Sequence, residues 1–176
     1  MAFLKTGVVA ALMASLIAGS AWAQSQSTNR VAAKTDWSVF VEDNPTECWS
    51  VSTPKETVNS RDGRVVAVNR GQTLLMVFYR PSAGANGQVA FTGGYPFASG
   101  STVRMDISGN SFELFTEGEW AWPATTSDDA KIIAAMKRGA DAKLTGRSGR
   151  GTQTEDTFSL LGFTAAVEDA GKRCGG

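Results

Sequence analysis

The 176-residue sequence contains no histidine. That absence removes Ser-His-Asp and Cys-His nucleophilic catalysis, imidazole-containing zinc sites and the commonest general base near neutral pH. Cysteine is nearly absent too. The two present, Cys48 and Cys174, are too far apart to form a CxxC redox motif. Neither sign of charge is in excess: seventeen basic residues balance seventeen acidic ones, so nothing draws the chain over long range to nucleic acid or an anionic membrane. No apolar run reaches the roughly 20 residues that a membrane span requires, and stable membrane insertion is not expected. Carboxylate-based catalysis survives all of these exclusions.

What is present points to export. Residues 1–23 read as a signal peptide, with Lys5 in the positive region, an apolar run from Val8 to Ala18, and Ala21-Trp22-Ala23 at the cleavage site. Cleavage there leaves Gln24 to Gly176, enough for one domain with a sizeable core. Losing Lys5 leaves sixteen basic to seventeen acidic residues, a net charge near −1. In an oxidising compartment, Cys48 and Cys174 read as an internal disulfide closing nearly the whole domain. An intermolecular bridge or two free thiols are the alternatives.

Residues 24–35 are polar and lack an apolar period, which predicts a flexible segment before a single domain at 36–176. Period-two alternation then dominates. Trp37, Val39 and Val41 mark one strand; a turn at Asn44-Pro45 leads to a second at Cys48–Ser52. Further strands are expected at Arg64–Val68, Val89–Thr92, Thr102–Ile107, Phe112–Phe115, Trp120–Trp122, Lys143–Thr145 and Thr154–Ser159. The run Thr73–Tyr79 is apolar on both faces, the mark of a central strand. Pro81–Gly87 reads as a loop and Ser108-Gly-Asn110 as a hairpin turn. One helix is expected near 127–138, capped at Ser127 or a neighbour and ended by Gly139; a terminal helix is expected near 161–170. The pattern predicts a mainly β fold, a β-sandwich or partly closed barrel with two short helices.

Few segments suggest chemistry. Ser52-Thr-Pro-Lys55 matches S-x-x-K, but Pro54 disfavours the helix that would bring Ser and Lys together, so a plain turn is expected. Gly146-Arg-Ser-Gly-Arg-Gly151 lacks the context of a phosphate loop and reads as a hairpin turn. Asp106-x-Ser108-x-Asn110 lacks the glutamate of a calcium loop. No metal or cofactor is expected. Glu117-Gly-Glu119-Trp120-Ala-Trp122 is more informative, because two indoles two residues apart share one face of a strand. On a solvated face, Trp120 and Trp122 would form a binding platform flanked by Glu117 and Glu119. The competing expectation, and the favoured one, puts both rings in the core.

The order of Trp37, Val39, Cys48 and a closing Phe158-Ser-Leu-x-Gly162-Phe163-x-x-Ala166…Cys174 resembles the invasion-associated locus B family. Asp129, the Met136–Gly139 helix end and Gly149–Gly151 fit the same resemblance. Many members carry a further cysteine soon after the tryptophan; Phe40 and Val41 occupy that region here. The resemblance implies an exported protein of a Gram-negative bacterium, in the periplasm or at the cell surface. Host-cell entry is implied for the founding member, and no catalytic set is implied. The expectation is a non-enzymatic envelope domain that binds an envelope protein, a host protein or a cell-wall glycan. The alternatives are a carboxylate-dependent hydrolase or lyase using Glu117 and Glu119, and a chaperone-like envelope stress protein.

Overall fold

A computed structural model describes residues 28–44 and 46–175. The expected signal peptide and Pro45 of the expected turn lie outside the described residues. Twelve antiparallel strands form one sheet: β1 (Arg30–Lys34), β2 (Trp37–Asp43), β3 (Thr46–Ser52), β4 (Glu56–Arg61), β5 (Arg64–Val65), β6 (Leu74–Arg80), β7 (Ala85–Thr92), β8 (Thr102–Ile107), β9 (Asn110–Glu117), β10 (Trp120–Trp122), β11 (Asp141–Arg147) and β12 (Gln153–Ser159). Their order across the sheet is β1-β2-β3-β6-β7-β10-β9-β8-β11-β12-β4-β5. Among the described residues two α-helices join the sheet, α1 (Thr126–Met136) and α2 (Phe163–Cys174).

The sheet coils around one core without closing. Inward residues from both halves meet there: Trp37, Val39, Leu75, Val77 and Phe91 from one side, Val103, Met105, Leu144 and Phe158 from the other. Phe91 and Phe158 meet edge to face at 6.1 Å. The Trp37 ring packs on Phe163 at 4.8 Å, and its Nε1 donates to the Ser159 carbonyl at 3.0 Å. That bond satisfies the buried indole and ties β2 to the end of β12.

Thr125, rather than Ser127, caps α1, accepting from the Asp128 amide at 3.2 Å. Gly139 follows the helix because a Cβ there would meet Ile107 Cγ2 at 2.6 Å. α2 runs past its expected end at Ala170 to Cys174, burying Phe163, Ala166, Val167, Ala170 and Cys174 along one stripe. Each larger apolar side chain contributes roughly 1.5–3 kcal/mol by leaving water. Gly162 opens the helix at φ 89°, and any Cβ would run into the Lys34 carbonyl. Cys174 and Cys48 form the internal disulfide, with Cα atoms 5.7 Å apart, joining the last turn of α2 to β3.

Several expected boundaries are corrected. The flexible segment expected to reach residue 35 gives way at Arg30 to β1, whose residues pair with β2. β4 was not anticipated, since Glu56–Arg61 shows no apolar alternation; its inward residues, Thr57 and Asn59, are polar because they serve a buried ion pair. The strand expected at Arg64–Val68 shrinks to a two-residue β5. β7 begins at Ala85, inside the expected loop, after one short helical turn at Pro81–Ala83. Thr73–Tyr79 does lie inside the sheet, between β3 and β7. The Ser108-Gly-Asn110 turn forms as expected, with φ of 47° at Ser108 and 83° at Gly109. Positive φ at both central residues is the two-residue hairpin geometry.

Candidate binding surface

β10 settles where the two indoles point. Ala121 is fully buried in the core, so the pleat sends Trp120 and Trp122 to the opposite face. Trp120 is exposed and Trp122 half-buried, and the expected core placement is corrected. Glu117 and Glu119 flank the Gly118 turn in open solvent, away from any described depression.

The remaining sequence candidates have structural explanations. Ser52 ends β3 with its hydroxyl donating to the Asp36 carbonyl at 2.7 Å, while Lys55 pairs with Asp36 at 2.6 Å. No helix joins Ser52 and Lys55. The Gly146–Gly151 segment runs from the end of β11 into a turn closed by Gly151 N donating to Ser148 O at 2.8 Å, with Arg147 and Arg150 exposed. Asp106 pairs with Arg104 at 3.0 Å. Among the described residues no acidic or cysteine cluster could hold a metal ion.

Two features were missed. The first lies inside the coil, where Asp156 is fully buried on β12 beside Arg70. Arg70 donates to both Asp156 oxygens, at 2.9 and 2.6 Å, and through Nε to the Gly93 carbonyl at 2.9 Å. Thr57 donates to Asp156 Oδ1 at 2.8 Å. The Arg70 guanidinium also lies 5.1 Å from the Tyr95 ring centre, and the Tyr95 hydroxyl is 2.6 Å from Thr154 Oγ1. Burial pushes the Tyr95 phenol above its ordinary range. This network bonds the far strands β12 and β4 to the segment leading into β6. A charged residue at an inward position between Thr154 and Phe158 was its only sequence signal.

The second is the outer face of the sheet, which divides in two. Over β8, β11 and β12 it is charged and solvated, with Lys143 paired to Glu155 at 2.7 Å and Arg104 to Asp106 at 3.0 Å. Over β2, β3 and β6 it is apolar. Strand register aligns Phe40 with Trp49 and Trp49 with Phe78; one row away it aligns Val51 with Met76 and Met76 with Ala90. Met76, Phe78 and Ala90 are buried on this outer side by Trp49, Val51 and Leu74, apart from the main core. Continuing the register through β10 puts Trp122 beside Ala90, and Trp122 pairs with Phe115 of β9. The indoles noticed in the sequence are therefore the far end of a larger apolar face.

The rings on this face stand side by side. Phe40 and Trp49 stack at 5.5 Å with planes 3° apart; Trp49 and Phe78 follow at 6.2 Å. Arg80 covers Phe78 at 4.4 Å and lies 3.2 Å from Glu47, off the hydrogen-bond direction. A broad open groove of about 1290 Å³ runs over Phe40, Trp49, Leu74 and Phe78, with Asp36 and Glu47 at its rim. A smaller depression of about 530 Å³ lies between α1 and the β6–β7 connection. Asp129 lines it; burial raises its carboxyl above the ordinary range, partly offset by the Val89 amide donating at 2.8 Å.

The sequence model of the invasion associated locus B (IalB) protein family matches residues 37–171, from β2 into the last turns of α2. The chain belongs to the invasion associated locus B family. The matched region carries the whole apolar groove and stops just before Cys174. The fold is similar to the crystal structure of invasion associated protein B from Bartonella henselae, with 15% identity and a TM-score of 0.53. That likeness covers 79% of this chain and 94% of the other, and at such identity it is a likeness of fold. No curated protein sequence matches the chain.

Proposed function

We propose that this IalB-family protein is an exported, non-enzymatic envelope domain, periplasmic or at the cell surface, that binds an apolar stretch of another polypeptide in its outer groove. The observation carrying this reading is the division of the outer face. A solvated sheet face is expected to look like the β8–β11–β12 half, whereas the β2–β3–β6 half places stacked aromatics and Met76 where water would otherwise be. The leader pattern, the disulfide and the family membership support the location.

Ring geometry favours a polypeptide over a glycan. Sugar rings stack on a free aromatic face, and here Trp49 lies between Phe40 and Phe78 while Phe78 carries Arg80. Ring edges and apolar flanks remain for contact, which suits aliphatic side chains. The test is affinity capture from envelope extract, followed by rebinding of the purified partner to the domain and to Trp49→Thr. At least tenfold weaker rebinding by the variant is expected. Equal binding by both, or capture of wall polymer with turnover, refutes the reading.

A further inference from the structure

We infer that the outer depression where β10 runs into α1 binds a methylated organic cation, held by the rings of Trp122 and Phe115 and by the carboxylate of Asp129. The site is separate from the groove over β2, β3 and β6, with which it shares no lining residue.

The depression has a volume of about 400 Å³, within the range of small-ligand sites, roughly 300–1,000 Å³. Trp122 and Phe115 pair across β10 and β9 and both face outward, so part of its wall is aromatic. Pro123 and Ala124 add apolar surface, while Gln88 and Asp129 add polar atoms. Among the described residues, neither Trp122 nor Phe115 stacks on another ring or carries a guanidinium, unlike Trp49 and Phe78. Their π systems are therefore not committed to a partner within the protein, and such rings attract a cation within about 6 Å.

Asp129 supplies the opposite charge. β10 ends at Trp122, in register with Ala90, and the next amide of β7, that of Val89, donates to Asp129 Oδ1 at 2.8 Å. That is the one bond the carboxylate makes to a described residue, although Asp129 is only 8% exposed. An asparagine would satisfy Val89 equally well, so the local structure has no need of a charge. Burial raises the carboxyl, with a smaller contribution from Asp128, as expected where a negative charge is undercompensated. The neighbouring cations are engaged elsewhere: Lys131 with Asp128 at 2.9 Å, Lys137 with Glu168 at 3.0 Å, and Arg80 over Phe78. Asp128, bonded to the Thr125 cap, already faces the positive end of α1. An uncharged ligand would leave the Asp129 charge unanswered. A lysine-like ammonium is strongly hydrated and would have to shed its water against apolar walls. A methylated cation is held less tightly by water and suits both the rings and the carboxylate.

The probe is choline, added to the oxidised chain beginning at Gln24 and followed by NMR at the Trp122 indole N–H and the Val89 amide. A saturable shift of both signals is expected. The uncharged carbon analogue of choline, with tert-butyl in place of trimethylammonium, should bind at least tenfold more weakly. Asp129→Asn and Trp122→Leu should each weaken choline at least fivefold, read at the Val89 amide, whereas Trp49→Thr should leave it unchanged. Co-sedimentation with phosphatidylcholine vesicles, competed by choline and lost in Asp129→Asn, would make a lipid head group the source; choline binding without it would make the source a free cation. No saturable shift, equal binding of the carbon analogue, or undiminished binding by Asp129→Asn overturns the inference. Choline binding lost in Trp49→Thr but kept in Asp129→Asn also overturns it, and puts the ligand in the groove.

Discussion

Removing the buried carboxylate while keeping its partner should be the most damaging single substitution in the coil. In Asp156→Ala, Arg70 stays in a site that leaves its side chain 9% exposed and loses both of its charge-assisted bonds to that residue. Thr57 loses its acceptor as well. Breaking a buried pair on one side costs about 3–5 kcal/mol, a large share of the 5–15 kcal/mol that holds a typical domain. With a urea slope of about 1–3 kcal/mol per molar, the unfolding midpoint should fall by about 2 M. Tryptophan fluorescence reports the transition, since Trp37 lies in the core. Arg70→Met combined with Asp156→Leu should recover much of the loss, because no uncompensated charge is then left inside. A midpoint shift worth under about 1 kcal/mol, or a double variant as unstable as the two singles summed, would refute this account of the network.

Reduction of the Cys48–Cys174 bridge, which spans a sequence separation of 126, should lower stability by about 4–5 kcal/mol on the chain-entropy relation, read from urea midpoints with and without reductant. Gly162→Ala should cost more than Gly84→Ala. Both have positive φ, but only at Gly162 does an added Cβ meet backbone, whereas nothing lies within 4 Å at Gly84; thermal midpoints of the two variants check this. The raised carboxyl of Asp129 makes the folded state hold its proton more tightly than the unfolded state does. Its effect therefore favours folding below the ordinary carboxylate range and is lost as pH rises through the folded pKa. Asp129→Asn, whose amide oxygen can still accept from Val89, should flatten that part of the stability–pH curve; an unchanged curve contradicts the assignment.

Strands with one wet and one dry face were legible. Thr102–Ile107 announces itself because Val103, Met105 and Ile107 alternate with polar residues, and Trp37, Val39 and Val41 mark the inward side of β2 in the same way. The bridge was legible for a different reason, since two cysteines in a chain that opens with a signal-peptide pattern have few other expected fates. β4 was invisible because its inward positions are Thr57 and Asn59, chosen to serve Asp156 and Arg70 across the coil rather than to avoid water. β1 was missed because Arg30–Lys34 is a short edge strand with no alternating pattern, ordered by its pairing with β2. The outer groove was hidden by the same runs that revealed the strands. Apolar residues on both faces of Leu74–Tyr79 explain a central strand equally well whether the second face meets a core or a partner. Only the register from Phe40 through Trp49 to Phe78 shows those residues to be one surface. Trp120 and Trp122 were found, but periodicity alone does not say which face of β10 turns inward; Ala121 decides that.

The most direct measurement compares Phe40→Thr with Trp49→Thr in the oxidised chain beginning at Gln24, reading urea stability and apolar-peptide affinity on the same samples. If the stacked rings exist for contact, affinity should drop at least tenfold while stability changes by no more than about 1 kcal/mol, the usual scale for substitutions outside a packed core. Unfolding penalties of about 3–5 kcal/mol with affinity unaltered would mean that the rings are a second core, and that the groove is not where this protein meets its partner.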